Sequence, residues 1–210
     1  MFDEHEDQEK FLSRLRQDPE GVLADEYNQY RDRLWRIVNF RLDRRLLGRV
    51  DADDILQEAY LDAATRIAHY LNDPATTFFI WLRTIIGQTL IDVHRRHLGA
   101  QKRDVRREVK ANRRVFSAST SFQIADVLLG DMTSPSQAAL KEELAAQLHE
   151  ALESLNEIDR EILVLRHFEE LSNLEASEVL EIESKTASMR YFRALTRLRT
   201  ILVQIPGIIE

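Results

Sequence analysis

Helical spacing of apolar residues runs through nearly every patterned segment of this 210-residue chain. Apolar side chains recur three, four, seven and eight positions apart, which places them on one face of an α-helix rather than on one face of a strand. Six glycines and four prolines leave few positions at which a helix is broken. The pattern therefore predicts an all-α protein.

The first half of the chain contains three such segments. The first helix is predicted from Leu34 to Leu46. Asp51 and Asp54 have the spacing of a helix N-cap and an acidic residue three positions later, so they are expected to open a second helix. Asn72-Asp73-Pro74 is a signal that ends this helix before another one starts.

The third helix is predicted to begin near Phe78 and to be interrupted at Gly87. A glycine inside a helix costs about 1 kcal/mol relative to alanine, which favours a real break at this position. Such a break would expose Gln88 and Thr89 as hydrogen-bonding groups in a loop.

The helical pattern fades between the two halves of the chain. Residues 98–114 contain seven lysines and arginines against two acids, and residues 115–137 are rich in Ser, Thr, Gln and Ala. This composition is typical of a flexible linker. The prediction is two small helical domains joined by that linker, with boundaries at 1–24 (an acidic N-terminal extension), 25–98 (first domain), 99–137 (linker) and 138–210 (second domain).

The second domain has the pattern of a helix-turn-helix. Ser172 and Glu175 have the spacing of a capping box and open a short helix. The three residues 181–183 then form a turn before a last helix with one apolar stripe. In a helix-turn-helix this last helix is the one that enters the major groove of DNA.

The charge of the chain changes sign where that last helix begins. Residues 139–183 carry 13 acids against three bases, whereas residues 184–200 carry five bases and no acid. The net charge of the whole chain, −7, argues against binding to nucleic acid. One cationic helix face on an otherwise acidic protein nevertheless fits a protein that contacts DNA along one edge only. The alternative is an ordinary solvated face.

If this face binds DNA, its first residues approach base edges and its arginines neutralise phosphates. The base-edge group is Ser184, Lys185, Ser188 and Met189, the phosphate group is Arg190, Arg193 and Arg197, and Phe192 shares the exposed face.

A second candidate nucleic-acid surface lies in residues 78–96, where aromatic and cationic side chains occur together. Aromatic rings stack on unpaired bases while arginines follow the backbone. Phe78, Trp81 and Leu82 have the spacing of core residues, whereas Phe79 and Arg83 fall off that stripe. The candidate DNA contacts in this segment are Phe79, Arg83, Gln88, Thr89, Arg95 and Arg96.

Residues 51–62 carry five acids and no base. Asp54 and Glu58 share a helix face, but no histidine accompanies them, so a metal site is not expected. A docking surface for a basic partner is the favoured hypothesis, and a solvated helix face near a helix N-terminus is the alternative.

No catalytic chemistry is predicted from this sequence. A nucleophile with a base, a glycine-rich phosphate loop and a zinc-protease motif are all missing, so an enzyme and a cofactor are not expected. The chain has no cysteine, no signal-peptide core and no apolar run longer than Phe78–Leu82. These features predict a cytoplasmic protein without membrane insertion.

Three segments resemble the extracytoplasmic-function (group 4) sigma factors of bacterial RNA polymerase. DADDILQEAYLDAATRI (51–67) resembles the part of the family's second region that docks on the β′ coiled coil. FFIWLRTIIGQTLIDVHRR (78–96) resembles the segment that melts and reads the minus-ten element. LNEIDREILVLRHFEELSNLEASEVLEIESKTASMRYFRALTRLR (155–199) resembles the fourth region, which binds the β flap and reads the minus-thirty-five element.

The resemblance implies roles for individual residues. The polymerase contacts would be Asp53, Asp54, Gln57 and Glu58, and the recognition helix would carry Lys185, Ser188, Arg190 and Arg193. Gln88 would take the place of an asparagine that holds a flipped base, and Arg95 and Arg96 would meet the promoter backbone. The partners implied are core RNA polymerase, promoter DNA and an anti-sigma factor.

The chain departs from the family pattern at several positions. Gln88 replaces an asparagine, Thr84 an arginine, Glu181 a turn glycine and Glu183 a capping serine. A rival interpretation is a helix-turn-helix regulator with a helical sensory or dimerisation domain, and a second is a scaffold that binds proteins through amphipathic helices.

Overall fold

The computed structural model describes residues 3–98, 147, 150, 152 and 154–203. These residues form seven α-helices and contain no β-strand. The chain divides into two compact units, 1–100 and 101–210, with four helices described in the first and three in the second. The helices are α1 (Asp3–Gln17), α2 (Pro19–Arg41), α3 (Ala52–Asn72), α4 (Phe78–Leu98), α5 (Glu157–His167), α6 (Asn173–Leu180) and α7 (Ser184–Leu202). The predicted all-α, two-domain class is confirmed, while the predicted linker at 99–137 lies outside the described residues.

The starts and ends of α2 and α3 follow local capping chemistry. The Asp18 carboxylate accepts a hydrogen bond from the Gly21 amide at 2.9 Å and opens α2. Asp51 caps α3 as predicted, because its carboxylate accepts from the Asp53 amide at 3.0 Å. Helix α3 ends at Asn72, where the sequence signal predicted its end.

Three predicted boundaries in the first unit were wrong. The helix expected from Leu34 to Leu46 begins at Pro19. It ends at Arg41, because Leu42 is extended and a separate 3-10 turn follows at Arg44–Leu46. Helix α4 runs through Gly87 without a break. Ile86 and Leu90 on either side of Gly87 are fully buried, and this burial outweighs the intrinsic cost of a glycine.

The first unit packs around α4, which lies against α2 and α3. The Phe78 ring lies 5.1 Å from the Phe11 ring and 5.3 Å from the Tyr70 ring, measured between centroids. Helix α1 adds Leu12 and Leu15 to this core. Residues 3–17, predicted as part of an acidic extension, therefore form a helix packed on α2, and the boundary proposed at residue 24 falls inside α2.

The second unit is a helix-turn-helix, as predicted. The Ser172 hydroxyl accepts from the Glu175 amide at 3.1 Å, and the Glu175 carboxylate accepts from the Ser172 amide at 2.7 Å, which completes the capping box of α6. Helix α6 ends on Glu181, whose φ of 53° is left-handed. The predicted helix over 144–155 lies mostly outside the described residues, although Leu152 and Leu155 are buried.

Candidate polymerase and nucleic-acid interfaces

The outer face of α3 carries the four residues predicted to bind polymerase. Asp53, Asp54, Gln57 and Glu58 are all exposed, because the opposite face of the helix buries Ile55, Leu56 and Ala59. The amphipathic spacing of α3 therefore sorts its carboxylates to the surface, where a partner can reach them.

Two of these carboxylates already have partners from other helices. The Arg31 guanidinium on α2 lies 2.6 Å from the Asp53 carboxylate. The Arg96 guanidinium on α4 binds both oxygens of Glu58, at 2.6 and 2.8 Å. Arg96 was predicted to bind DNA and Glu58 to bind polymerase, yet the two residues hold each other. Local spacing in the sequence does not reveal these pairs, because their members are 22 and 38 positions apart.

A groove of about 340 Å³ lies between α2 and α3, beside the predicted polymerase contacts. Tyr27 lines this groove, and its hydroxyl donates to the Leu56 carbonyl oxygen at 2.6 Å. Burial raises the pKa of Tyr27, so this phenol stays a neutral donor. Asp53 and Gln57 line the rim.

Two of the DNA contacts predicted on α4 are buried in the free chain, which argues against a direct contact with DNA. Phe79 is 3% exposed; its ring lies 5.0 Å from that of Tyr30 and beneath the Arg33 guanidinium at 3.7 Å. Thr89 is also 3% exposed, and its hydroxyl donates to the Ile85 carbonyl oxygen at 3.1 Å. Helix α4 is covered on more sides than its apolar stripe indicated, and the loop expected to expose Thr89 does not form.

The other predicted α4 contacts lie at or near the surface. Gln88 is half-buried, and its side-chain oxygen accepts from Arg66, which also binds Asp62 at 2.9 Å. Arg95 is exposed and lies 2.7 Å from Asp92 one helical turn earlier. Arg83 is half-buried. Arg66 had no role in the sequence analysis, because its neighbour Gln88 is 22 positions away.

His94 ties the cationic end of α4 to the segment that joins α2 and α3. Its ring is 9% exposed, and its Nε2 atom accepts a hydrogen bond from the Asp43 amide at 3.1 Å. Burial lowers the pKa of His94, which keeps the ring neutral and able to accept. The Arg45 side chain in turn lowers the pKa of Asp43 through their hydrogen bonds.

Helix α7 presents most of its predicted DNA contacts to solvent. Its buried face is anchored by Ala187 and Ala194, which are fully buried, with Tyr191, Leu195 and Leu198 half-buried, as the apolar stripe predicted. The exposed face carries Ser184, Lys185, Ser188, Met189, Arg193 and Arg197. Phe192, which the apolar stripe also placed on this face, is 73% exposed.

Arg190 differs from the rest of the predicted phosphate group. It is half-buried, and its guanidinium lies 3.2 Å from the carboxylate of Asp159 on α5. Arg197 approaches the other oxygen of the same carboxylate at 4.0 Å. At the start of α7, the Asn173 side-chain amide donates to the Ser184 carbonyl oxygen at 2.9 Å, which ties α6 to α7.

The described residues contain no group of three or more metal-ligating side chains placed to hold an ion. In the same part of the chain, every helix is too short or too polar to cross a bilayer.

Comparison with known proteins matches both units. The model for sigma-70 region 2 matches residues 27–98, and the model for sigma-70 region 4 matches residues 145–198. The chain is 27% identical to the RNA polymerase sigma-H factor of Pseudomonas aeruginosa, over 86% of this chain and 92% of that one. It is 26% identical to the ECF RNA polymerase sigma factor SigW of Bacillus subtilis, over 90% and 94% of the two chains.

A solved structure shares the fold. CnrH, in its complex with the cytosolic domain of CnrY, superposes with a TM-score of 0.50 at 18% identity, covering 92% of this chain and 95% of that one.

Proposed function

The chain belongs to the extracytoplasmic-function sigma factors, which direct transcription initiation by bacterial RNA polymerase, and we propose that it divides this task between its two units. The first unit binds core polymerase and the minus-ten element, and the second binds the minus-thirty-five element. Because both sigma regions are matched, a helix-turn-helix regulator that acts without polymerase, and a scaffold that binds only proteins, are the weaker interpretations.

The polymerase contact is assigned to the exposed face of α3. Asp53, Asp54, Gln57 and Glu58 offer carboxylate and amide oxygens beside the groove between α2 and α3. The partner surface proposed for this face is basic and helical, and the family resemblance supports the β′ coiled coil in that role. Asp53 and Glu58 exchange their internal arginines for cations of polymerase at small cost, because exposed ion pairs are worth about 0–1 kcal/mol.

The minus-ten contact is assigned to the exposed strip of α4. Gln88 offers an amide to a base, and Arg83, Arg95 and Arg96 offer cations to the backbone. Phe79 and Thr89 support the helix from within instead.

The minus-thirty-five contact is assigned to α7. Lys185, Ser188 and Met189 lie near its N-terminus, where a recognition helix meets base edges, and Arg193 lies one turn further along. Phe192 is added to this surface, because an exposed ring is suited to the methyl groups of thymine. The β flap is the polymerase partner proposed for the second unit.

The remaining assignments follow from this role. The protein acts in the cytoplasm with no cofactor and no catalysis of its own. CnrH is seen with the cytosolic domain of CnrY, and by analogy we propose that an anti-sigma protein covers this chain's binding surfaces until initiation is required.

The observation that carries the proposal is the cationic outer face of α7 on a unit that matches sigma region 4. Run-off transcription with purified core polymerase and a genomic promoter library tests it. The unsubstituted chain is expected to direct specific initiation. Asp54→Arg with Glu58→Arg is expected to abolish polymerase binding, and Lys185→Ala with Arg193→Ala is expected to abolish minus-thirty-five dependence while polymerase binding remains.

A matched control reverses two exposed acids elsewhere in the first unit, Asp7→Arg with Asp25→Arg. This control should bind polymerase normally. Equal loss of binding in both double variants would mean that α3 is not the docking surface, and unaltered transcription by the α7 variant would remove α7 from promoter recognition.

A further inference from the structure

A buried carboxylate on α5 faces helix α7, the last helix of the helix-turn-helix. Asp159 is in the first turn of α5, and its side chain is only 4% exposed. One oxygen lies 3.2 Å from the Arg190 guanidinium and the other lies 4.0 Å from the Arg197 guanidinium. A single carboxylate therefore faces two arginines that are two helical turns apart on α7.

This arrangement restricts what Arg190 can do. A buried carboxylate without a partner is strongly disfavoured, since its lost hydration has to be replaced by hydrogen bonds and opposite charge. If Arg190 moved to a DNA phosphate, Asp159 would keep only the longer contact from Arg197. Arg190 is 31% exposed at its side chain, whereas Arg197 is 58% exposed. Of these two arginines, Arg190 is therefore the more buried and makes the closer contact with Asp159.

We propose that Asp159 is a positioning residue for minus-thirty-five recognition, because it holds α7 through Arg190 and, more loosely, through Arg197. The proposal rests on the function assigned to α7 above. Arg190 then acts as an internal anchor and leaves phosphate binding to its exposed neighbours, of which Arg193 is the nearest.

The anchor fixes the rotation of α7 about its own axis. Successive residues of an α-helix are offset by about 100°, so a small roll of α7 exchanges the side chains that meet a base edge. Asn173 holds the start of α7 through Ser184, and Asp159 holds it about two to four turns later. Without the second anchor, Lys185, Ser188 and Met189 lose their fixed register on the DNA.

The test compares Asp159→Asn with the unsubstituted full-length chain, each bound to core polymerase, below the melting temperature of both proteins. Promoter affinity is measured over a range of salt concentrations and on single-base variants of the minus-thirty-five element. We expect discrimination against the variants to fall by about fivefold, since one mismatched base pair normally costs about 1–3 kcal/mol. We expect the slope of log affinity against log salt to stay unchanged.

Three substitutions serve as controls. Glu157→Gln removes an exposed acid from the same helical turn and should leave discrimination and slope unchanged. Arg193→Ala should reduce the salt slope by about one unit, as loss of a phosphate contact does. Arg190→Ala should reduce discrimination without changing the slope.

Two results would overturn the proposal. If Asp159→Asn raises affinity and steepens the salt slope by about one unit, Arg190 is a phosphate ligand that Asp159 restrains. If the substitution lowers only the melting temperature, Asp159 supports the fold and does not position α7. Where Asp159→Asn does not fold, Arg190→Lys is tested in its place, because it keeps the charge but lacks the two-pronged guanidinium. Failure of the unsubstituted chain to initiate would instead refute the proposed function.

Discussion

The two units both pair arginines with carboxylates, but they place those pairs in different surroundings. In the first unit, Arg96 and Glu58 are each about half exposed, at 52% and 47% of their side chains. In the second unit, Arg190 is 31% exposed while its partner Asp159 is 4% exposed. Both pairs join helices distant in sequence, so burial of the carboxylate is the main difference between them.

Burial of the carboxylate decides whether the pair is exchangeable. Water solvates Glu58 when Arg96 leaves, so the first pair can yield to an external ligand at small cost. Water does not reach Asp159 in the same way, so the second pair holds its helix in place. Two arginines predicted to do the same work, Arg96 and Arg190, therefore differ in their availability to a ligand.

Helices α4 and α7 also differ in how much of their surface is buried. Ten residues of α4 are buried, including Phe79 and Thr89, whereas Ala187 and Ala194 are the fully buried residues described in α7. Helix α4 forms the centre of its unit and exposes a narrow strip. Helix α7 lies on the outside of its unit and exposes a broad face, which is the geometry that a recognition helix needs.

The largest predicted effect is that of Phe79→Ala. Loss of a buried ring leaves a cavity between α2 and α4, so the first unit should lose about 3–5 kcal/mol of unfolding free energy. Both tryptophans, Trp35 and Trp81, lie in the first unit, so urea unfolding followed by tryptophan fluorescence reports on this unit alone. Leu61→Ala removes an exposed apolar side chain from the same unit and is the matched control. If Phe79→Ala abolished binding of minus-ten single strands without a change in stability, Phe79 would be a DNA contact after all.

Arg190→Ala should have the next largest effect. It leaves the buried Asp159 carboxylate with only the 4.0 Å contact from Arg197, at a cost of about 2 kcal/mol. Hydrogen exchange of the α7 amides measures this loss. Arg193→Ala changes an exposed arginine on the same helix and should alter stability by less than about 0.5 kcal/mol. Equal protection in both variants would show that Asp159 does not need Arg190.

Glu181→Gly should stabilise the second unit by about 1 kcal/mol. Glu181 has a φ of 53°, a left-handed conformation that glycine adopts without a Cβ penalty. Hydrogen exchange of α6 and α7 is again the measurement. Glu183→Gly, two residues later and without a positive φ, should give no gain. A loss of stability in Glu181→Gly would mean that the Glu181 side chain contributes more than its backbone strain costs.

Local chemistry made much of the fold predictable from sequence. The Asp51 cap, the Ser172–Glu175 capping box and the 181–183 turn depend on residues within a few positions of one another, so spacing alone was sufficient. The uninterrupted α4 was not predicted, because the balance at Gly87 is set by burial of Ile86 and Leu90 against other helices. Helix propensity gives the free-energy cost of a glycine, but it does not give the burial of neighbouring side chains that outweighs this cost.

Which side chains of α7 are exposed was predictable from the sequence, but the ion pairs between helices were not. The stripe of α7 correctly separated Ala187 and Ala194 from Lys185 and Arg193. Phe79 was misplaced because a single apolar stripe does not show that α2 covers a second side of α4. The partners of Glu58 and Arg190 come from other helices and leave no trace in local spacing.

Acid should weaken the first unit through His94. Burial holds the pKa of His94 below its ordinary value of about 6.5, so below that pH the unfolded chain binds a proton that the folded chain does not. Stability should therefore fall as the pH drops from 7.5 to 5.5, and protonation also removes the acceptor of the Asp43 amide. The charged groups facing His94 are Asp43, which opposes the shift, and Arg45, which adds to it.

Urea unfolding followed by tryptophan fluorescence at several pH values measures this dependence. His94→Gln should reduce the change in unfolding free energy between pH 7.5 and 5.5. An unaltered pH dependence in that variant would assign the acid sensitivity to another group of the first unit.

The smallest predicted effect is the coupling between Glu58 and Arg96. A double-mutant cycle of Glu58→Gln and Arg96→Gln should give a coupling free energy below about 1 kcal/mol, because both side chains are about half exposed and screened by water and salt. Tryptophan fluorescence in urea again reports the stability of the first unit. A coupling of 2 kcal/mol or more would make this pair as fixed as Arg190 and Asp159. Glu58 would then not be free to exchange Arg96 for a cation of polymerase, and docking would have to rely on Asp54 and Gln57.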